Sequence, residues 1–150
     1  MPPMAADDEL RSLYSRLIEG WNAADAETMA AAVAPDGLVI GFDGSQMLGR
    51  EQVAAELGRI FADHETASYV TKVRSVTAIG DNGGLLHAVA GMVPPGGSEL
   101  MPDRNAIQSV AGRRAGDSWE VVLFQTTPAR FDGRPELAQG LTAELSELLE

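Results

Sequence analysis

The feature that most constrains the fold is a change in hydrophobic period part-way along the chain. Up to His64, apolar residues recur at steps of three and four, which is typical of helices with one buried face. Beyond it come four runs separated by turns, at 69–79, 85–93, 105–114 and 119–127, and the first of them is rich in Val, Thr and Tyr. Short turns favour antiparallel pairing, because parallel neighbours need long crossovers. Helices first and strands last predict an α+β fold with helices packed on an antiparallel sheet.

The first helix is predicted from a single apolar stripe. Its members are Leu10, Leu13, Tyr14, Leu17, Ile18 and Trp21. Asp7 or Asp8 is expected to cap this helix, and Asn22 to close it.

A second helix and a short hairpin are predicted next. Asp25 is expected to cap a helix that runs through Val33, and Pro35 ends it by forcing the preceding residue out of helical geometry. Residues 37–42 and 45–48 are then expected to pair as two short strands across a tight turn.

A third helix is expected over residues 50–64. Its stripe contains Val53, Leu57, Ile60, Phe61 and, at the same spacing, His64. The helix is therefore expected to bury this side against the sheet.

Length, charge and composition limit the function classes. A chain of 150 residues suits one domain, with a core over about 8–128 and a tail with a helix over about 136–149. The net charge is −11, which disfavours nucleic acid and anionic membranes as partners. The absence of cysteine excludes thiolate chemistry and disulfides. Without a membrane-length apolar run, or a secretory pattern in residues 1–10, a cytoplasmic protein is expected.

The sheet itself predicts a homodimer. Both alternating sets of residues in the run 85–93 are mostly apolar, and helices can cover only one face. The tail repeats Leu137, Leu141, Leu145 and Leu148, so it is expected to dock on the domain or on its mate.

The order of elements resembles the NTF2-like superfamily, which includes ketosteroid isomerases and SnoaL-type polyketide cyclases. Three stretches are similar to the SgcJ/EcaC family: WNAADAETMAAAVAPDGLVIGFDG (21–44), the GR and helix at 49–64, and FQTTPARFDGRPE (124–136). VAGMVPPGG (89–97) and NAIQSV (105–110) resemble members encoded with enediyne polyketide synthases.

This resemblance implies a cone-shaped fold and a bacterial cytoplasmic homodimer. It implies action beside an iterative polyketide synthase on a linear polyene or an early enediyne intermediate. The family label "oxidoreductase" gains no support, because the sequence has no dinucleotide fingerprint, metal cluster or thiol pair, and no cofactor is expected.

Folds of this kind hold ligands between the concave sheet face and the helices. The candidate ligand-binding residues are Trp21, Phe42, Phe61, Tyr69, Met92, Asn105, Gln108 and Gln125. Aromatic walls suit a flat conjugated chain, although Trp21 and Phe61 are equally suited to filling the core. Only one face of each strand can point inward, so the three amides cannot all line the pocket.

His64 is the candidate acid or base. It either faces the pocket, where an imidazole titrates near neutral pH, or meets the helix dipole in a last turn. His87 is expected to be exposed or on a sheet face, and Asp25 is expected to serve as a helix cap rather than a catalytic acid.

A carboxylate base is missing from the predicted inner strands. No Asp or Glu occurs in 85–93 or 105–114, and Glu120 lies between two better core candidates, Trp119 and Val121. The carboxylate-dependent proton abstraction of related isomerases is therefore disfavoured.

Three function classes remain at this point: a polyene-binding accessory protein, a cyclase or isomerase that uses His64, and an interaction protein that docks on the synthase. The segment 128–135, with Arg130, Phe131 and Arg134, is expected to be a structural tail, or to fold over the pocket mouth or across the dimer.

Overall fold

The computed structural model describes residues 6–150 and confirms the α+β architecture. Its elements are α1 (Ala6–Asn22), α2 (Ala26–Ala31), β1 (Val33–Ile40), β2 (Gln46–Leu48), α3 (Arg50–Asp63), β3 (Ser68–Ile79), β4 (Gly83–Val93), β5 (Ala106–Ala115), β6 (Ser118–Pro128) and α4 (Pro135–Ser146). A 3₁₀ turn, Pro102–Arg104, precedes β5, and another, Glu147–Leu149, follows α4. The expectation of no secretory signal rests partly on residues 1–5, which lie outside the described residues.

The strands form one curved, mixed sheet of six strands in the order β2-β1-β6-β5-β4-β3. Every neighbouring pair is antiparallel except β1 and β6, which run parallel. The four consecutive strands β3 to β6 pair antiparallel, as predicted, and the parallel pair of β1 with β6, which was not predicted, makes the sheet mixed. Turn residues predict the pairing of strands that are consecutive in the sequence. β1 and β6 are far apart in the sequence, so no turn predicts their pairing.

The junction of α2 and β1 also differs from the prediction. The helix ends at Ala31 rather than Val33, and Val33 already pairs with Val121 of β6. Pro35 lies inside β1, where the register with β6 shifts between Val33 and Leu38. A proline cannot donate to a sheet ladder, so it is tolerated at such an irregularity rather than as the helix terminator that was expected.

The inner face of the sheet packs against α1. Leu10, Leu13 and Leu17 are fully buried there, in one cluster with Leu86 of β4. Glycines let this helix approach closely: a Cβ at Gly84 or Gly112 would lie 2.5 Å from a methyl carbon of Leu10.

The outer face is covered at one end by α4. Leu141 and Leu145 of this helix are buried in a second cluster with Val89 of β4. Glu144 of α4 pairs with Lys72 at 3.1 Å and with Arg74, both on β3. The tail helix therefore docks on the sheet of its own chain.

The rest of the outer face carries a continuous apolar row. Five residues in register form this outer apolar row, one on each of the neighbouring strands β2, β1, β6, β5 and β4: Leu48, Leu38, Leu123, Ala111 and Leu85. Leu48 is 65% exposed and Leu85 is 43% exposed. Helices of this chain thus leave an apolar band of the sheet uncovered.

Candidate functional site

A cavity of about 320 Å³ opens between the helices and the inner face of the sheet. Most of its wall is apolar or aromatic: Trp21, Met29, Val39, Phe42, Met47, Leu57, Ile60, Met92 and Phe124. The polar side chains in the wall are Asp43, Ser45, Tyr69, Arg104 and Thr126. An apolar wall with a few polar groups is the usual composition of a small-molecule site.

Four of the predicted ligand-binding residues meet in this cavity: Trp21, Phe42, Tyr69 and Met92. The Trp21 indole is held in place because its Nε1 donates a hydrogen bond to the Ala67 carbonyl at 2.8 Å. Its ring centre lies 5.6 Å from that of Tyr69. These two rings form a rigid aromatic wall.

Phe61 lies behind this wall rather than on the lining. Its ring packs edge-on against Trp21, with centres 5.4 Å apart. Phe61 is one of the partly buried residues packed against the hydrophobic core, which agrees with the alternative prediction that it is a core residue. It supports the indole and does not face the cavity.

Gln108 is buried but is absent from the cavity wall. Its Oε1 accepts a hydrogen bond from the Tyr14 hydroxyl at 2.5 Å, and its Nε2 donates to Thr126 Oγ1 at 3.2 Å. The expectation that it lines the pocket is wrong, because its amide is already used to join α1 to β6.

The other two amides also lie elsewhere. Asn105 is buried, and its Nδ2 donates to Thr142 Oγ1 of α4 at 2.8 Å. Thr126 faces the cavity, and neighbouring residues of a strand point to opposite faces. Gln125 therefore lies on the outer face, where it is in register with Ser109. Neither side chain reaches the cavity.

His64 lies outside the cavity wall. The helix ends at Asp63, and His64 takes an extended conformation with φ −138° and ψ 145° and an exposed side chain. The apolar stripe therefore stops at Phe61, and the expectation that His64 continues it into the pocket is wrong. His87 is exposed on the outer face.

Asp25 caps α2, as predicted. Its carboxylate accepts from the Thr28 backbone N–H at 3.1 Å and from the Thr28 hydroxyl at 2.6 Å. These bonds favour the charged form and lower the pKa of Asp25. The residue stabilises the helix start and is not part of the cavity wall.

The titratable groups around the cavity suit hydrogen bonding better than proton abstraction. Burial raises the pKa of Tyr69, and a hydrogen bond with Thr126 and the charge of Arg104 oppose that shift only in part. Burial also raises the pKa of Tyr14, which lies outside the cavity wall and donates to Gln108. Both phenols therefore stay protonated at neutral pH and act as donors.

The carboxylate in the cavity wall, Asp43, is exposed. It accepts from the Ser45 backbone N–H at 2.9 Å, and this bond lowers its pKa. Glu120 instead pairs with Arg113 at 3.1 Å on the outer face. A carboxylate with a raised pKa, which a base poised near neutrality requires, does not line the described wall.

Most residues of the wall were not among the predicted candidates, and Met47, Arg104 and Thr126 are three examples. Met47 was placed in a strand without being assigned a face, and pairing with Val39 turns it inward. Thr126 lies beside the predicted Gln125 on β6, and the alternation of the strand turns Thr126 rather than Gln125 into the cavity. Arg104 lies just before a predicted strand, and nothing in its local pattern indicates that a cavity lies beside it.

The described residues, 6–150, contain no group of three metal-binding side chains. Over the same range, no helix is both long enough and apolar enough to cross a membrane.

The sequence profile of the SnoaL-like domain matches residues 10–126. The chain belongs to the SnoaL-like domain family. The match spans all six strands except the end of β6 and includes every residue that lines the cavity. No curated protein matches the chain in sequence.

Solved structures share this fold at low identity. A cystatin-like domain of unknown function from Nostoc punctiforme is 19% identical, with a TM-score of 0.78 over 89% of this chain and 83% of that one. A ketosteroid isomerase-like protein from Erwinia carotovora atroseptica is 13% identical, with a TM-score of 0.64 over 81% and 95%. An NTF2-like protein of unknown function from Shewanella oneidensis is 11% identical, with a TM-score of 0.66 over 81% and 98%. These likenesses extend to the fold alone.

Proposed function

We propose that this SnoaL-like protein binds a linear polyene or an early enediyne intermediate of polyketide biosynthesis and steers its folding or cyclisation. The observation that carries the proposal is the apolar cavity, whose wall includes the rings of Trp21, Phe42 and Tyr69. Planar conjugated chains stack well on such rings. The resemblance to the SgcJ/EcaC family supports the enediyne context and a bacterial cytoplasmic location beside a polyketide synthase.

The cavity is small for such a ligand. Its 320 Å³ lies near the lower end of the ~300–1,000 Å³ that is common for small-molecule sites. A long polyene would therefore place one segment inside and leave the rest outside the mouth. Catalysis in this arrangement would come from orientation, because holding one end restricts how the chain can bend.

A cyclase or isomerase is the alternative in the same family. A version that uses His64 as acid or base is disfavoured by the exposed position of that residue. Asp43 is the carboxylate in the cavity wall, and its lowered pKa makes it a weak base. An enzyme built on this cavity would depend mainly on its hydroxyl donors.

Self-association through the sheet is part of the proposal. The outer apolar row crosses five strands, and α4 leaves it exposed. A second copy that places the same row against it would bury both. Leu85→Lys and Leu123→Lys are expected to produce monomers in sedimentation analysis, while Leu149→Lys outside the row keeps the dimer. A wild-type monomer would contradict this part of the proposal.

Ligand binding can be measured on a protein with one fluorescent reporter. The chain contains two tryptophans, and Trp119 lies away from the cavity under Arg114. Trp119→Phe thus leaves Trp21 as the reporter in the wall. Titration with a linear conjugated polyene is expected to quench Trp21 and to shift the absorbance bands of the polyene.

A blocking variant and a control make the result specific to the cavity. Met92→Trp fills the cavity and is expected to abolish the absorbance shift, whereas Leu149→Trp, at an exposed site, preserves it. Unchanged polyene after binding supports a carrier, and a new product supports an enzyme. If His64→Ala alone prevented that product, the catalytic role of His64 would be restored. Absence of binding would leave an interaction protein that docks on the synthase as the best explanation.

A further inference from the structure

The rim of the cavity carries a guanidinium beside a phenol. Arg104 ends the 3₁₀ turn, and its guanidinium carbon lies 5.3 Å from the centre of the Phe42 ring. Its charge also acts on the hydroxyl of Tyr69. Phe42, Tyr69 and Arg104 all line the same cavity, so the guanidinium and the phenol border one space.

The backbone around Arg104 is held in place, although the side chain is exposed. The Arg104 N–H donates to the Met101 carbonyl at 2.9 Å, and the next residue, Asn105, accepts from the Ala129 N–H at 2.9 Å. The Asn105 side chain is also bonded to Thr142 of α4. The cation is therefore presented from a fixed turn rather than from a loose loop.

The local charge balance leaves Arg104 available to a ligand. Arg104 takes part in none of the ion pairs found within residues 6–150, whereas Arg113 is shared between Asp36 and Glu120. The other charged lining residue is Asp43, whose carboxylate is engaged by the Ser45 N–H. Arg16, Arg114 and Arg134 are also outside those ion pairs, but among these four cations Arg104 is the one that lines the cavity.

We propose that the cavity takes an amphipathic acid, with the apolar chain inside and a carboxylate at the rim bound by Arg104 and the Tyr69 hydroxyl. This inference rests on the proposed function and narrows its ligand to chains that end in an acid. A guanidinium and a protonated phenol both donate hydrogen bonds. A carboxylate has two oxygens and can accept from both groups at once. A neutral ester or hydrocarbon end offers fewer and weaker acceptors.

The test compares one chain with two ends: a linear conjugated tetraene carboxylic acid and its methyl ester, titrated at about pH 7.5, where a carboxyl group is ionised. Wild-type protein is expected to bind the acid about tenfold more tightly than the ester, as one charge-assisted contact would produce. Arg104→Gln is expected to remove this preference, because it lowers the affinity for the acid and leaves the affinity for the ester unchanged. Arg16→Gln, which removes an exposed cation of α1 outside the cavity, is the matched control and keeps it.

Two further variants separate the local contacts from general charge. Tyr69→Phe is expected to weaken binding of the acid more than binding of the ester. Asp43→Asn is expected to strengthen binding of the acid, because it removes a repulsive charge from the wall. If wild type bound both ligands equally, or if Arg104→Gln weakened both alike, the acid assignment would be overturned while the proposed polyene site stood. If neither ligand bound, both would be overturned.

Discussion

The two faces of the sheet are built from alternate residues of the same strands, yet they differ in what covers them. On β4, Leu86 faces α1 and is fully buried, whereas Leu85 beside it is 43% exposed in the outer apolar row. The inner face also holds the cavity and a buried hydrogen-bonded link from α1 to β6. On the outer face, α4 and the residues packed with it, Leu100, Ala129 and Phe131, form the second cluster with Val89. Within residues 6–150, the inner face is therefore covered more completely than the outer face.

The largest expected effect separates two neighbouring leucines. Leu86→Ala should lower the free energy of unfolding by about 2–5 kcal/mol, because it leaves a void in the α1 interface. Leu85→Ala in the monomer should change it by less than about 0.5 kcal/mol, since its side chain is already half in solvent. Urea unfolding of both variants at low protein concentration is the measurement. Equal losses would remove the distinction between the faces.

The buried amide on the inner face provides the second comparison. Gln108→Leu strands the Tyr14 hydroxyl without its acceptor, so the free energy of unfolding should fall by about 1–3 kcal/mol. Gln125→Leu on the outer face should change it by less than about 0.5 kcal/mol.

A double variant identifies the cause of that loss. Adding Tyr14→Phe to Gln108→Leu removes both partners, and the combined loss should be smaller than the sum of the single losses. Additive losses would indicate that the hydrogen bond contributes little and that packing alone is affected.

The smallest effect concerns the ion pairs that fasten α4 to the outer face. Arg74 and Lys72 lower the pKa of Glu144 to about 2, below its ordinary 4.5. A lowered folded-state pKa means that this stabilisation is complete above the unfolded value and is lost as the pH falls from about 4.5 toward 2.

Exposed pairs contribute less than about 1 kcal/mol, so the change should be modest and confined to α4. As the pH falls through this range, the amides of wild-type α4 should exchange faster relative to those of β4, after correction for intrinsic exchange rates. Glu144→Gln should exchange faster already at neutral pH and lose that dependence. An identical pH profile in both proteins would show that Leu141 and Leu145 hold the helix alone.

Much of the secondary structure followed from local pattern, because periodicity and turn residues act over a few positions. The predicted strand 85–93 begins only two residues after the observed start at Gly83. Long-range pairing was not visible in the same way. The parallel contact of β1 with β6 and the bond from Tyr14 to Gln108 join residues far apart in sequence.

The candidate site was predictable in its aromatic part and not in its polar part. Trp21 and Met92 were found because helix and strand periods assign a face to each residue. His64 was misplaced because the period was extended one residue past the helix end at Asp63. Arg104 belongs to a turn, where no period assigns a direction to the side chain.

The parallel contact between β1 and β6 also governs the order of events during synthesis. β1 ends at Ile40, and the strand that fills the gap between it and β5 begins only at Ser118. At ~5–20 residues per second, the ribosome needs several seconds to make the intervening segment. Through that interval the nascent hairpin of β1 and β2 has no sheet to join. We therefore expect the edge of this hairpin to stay open to pairing with another chain until β6 has been made.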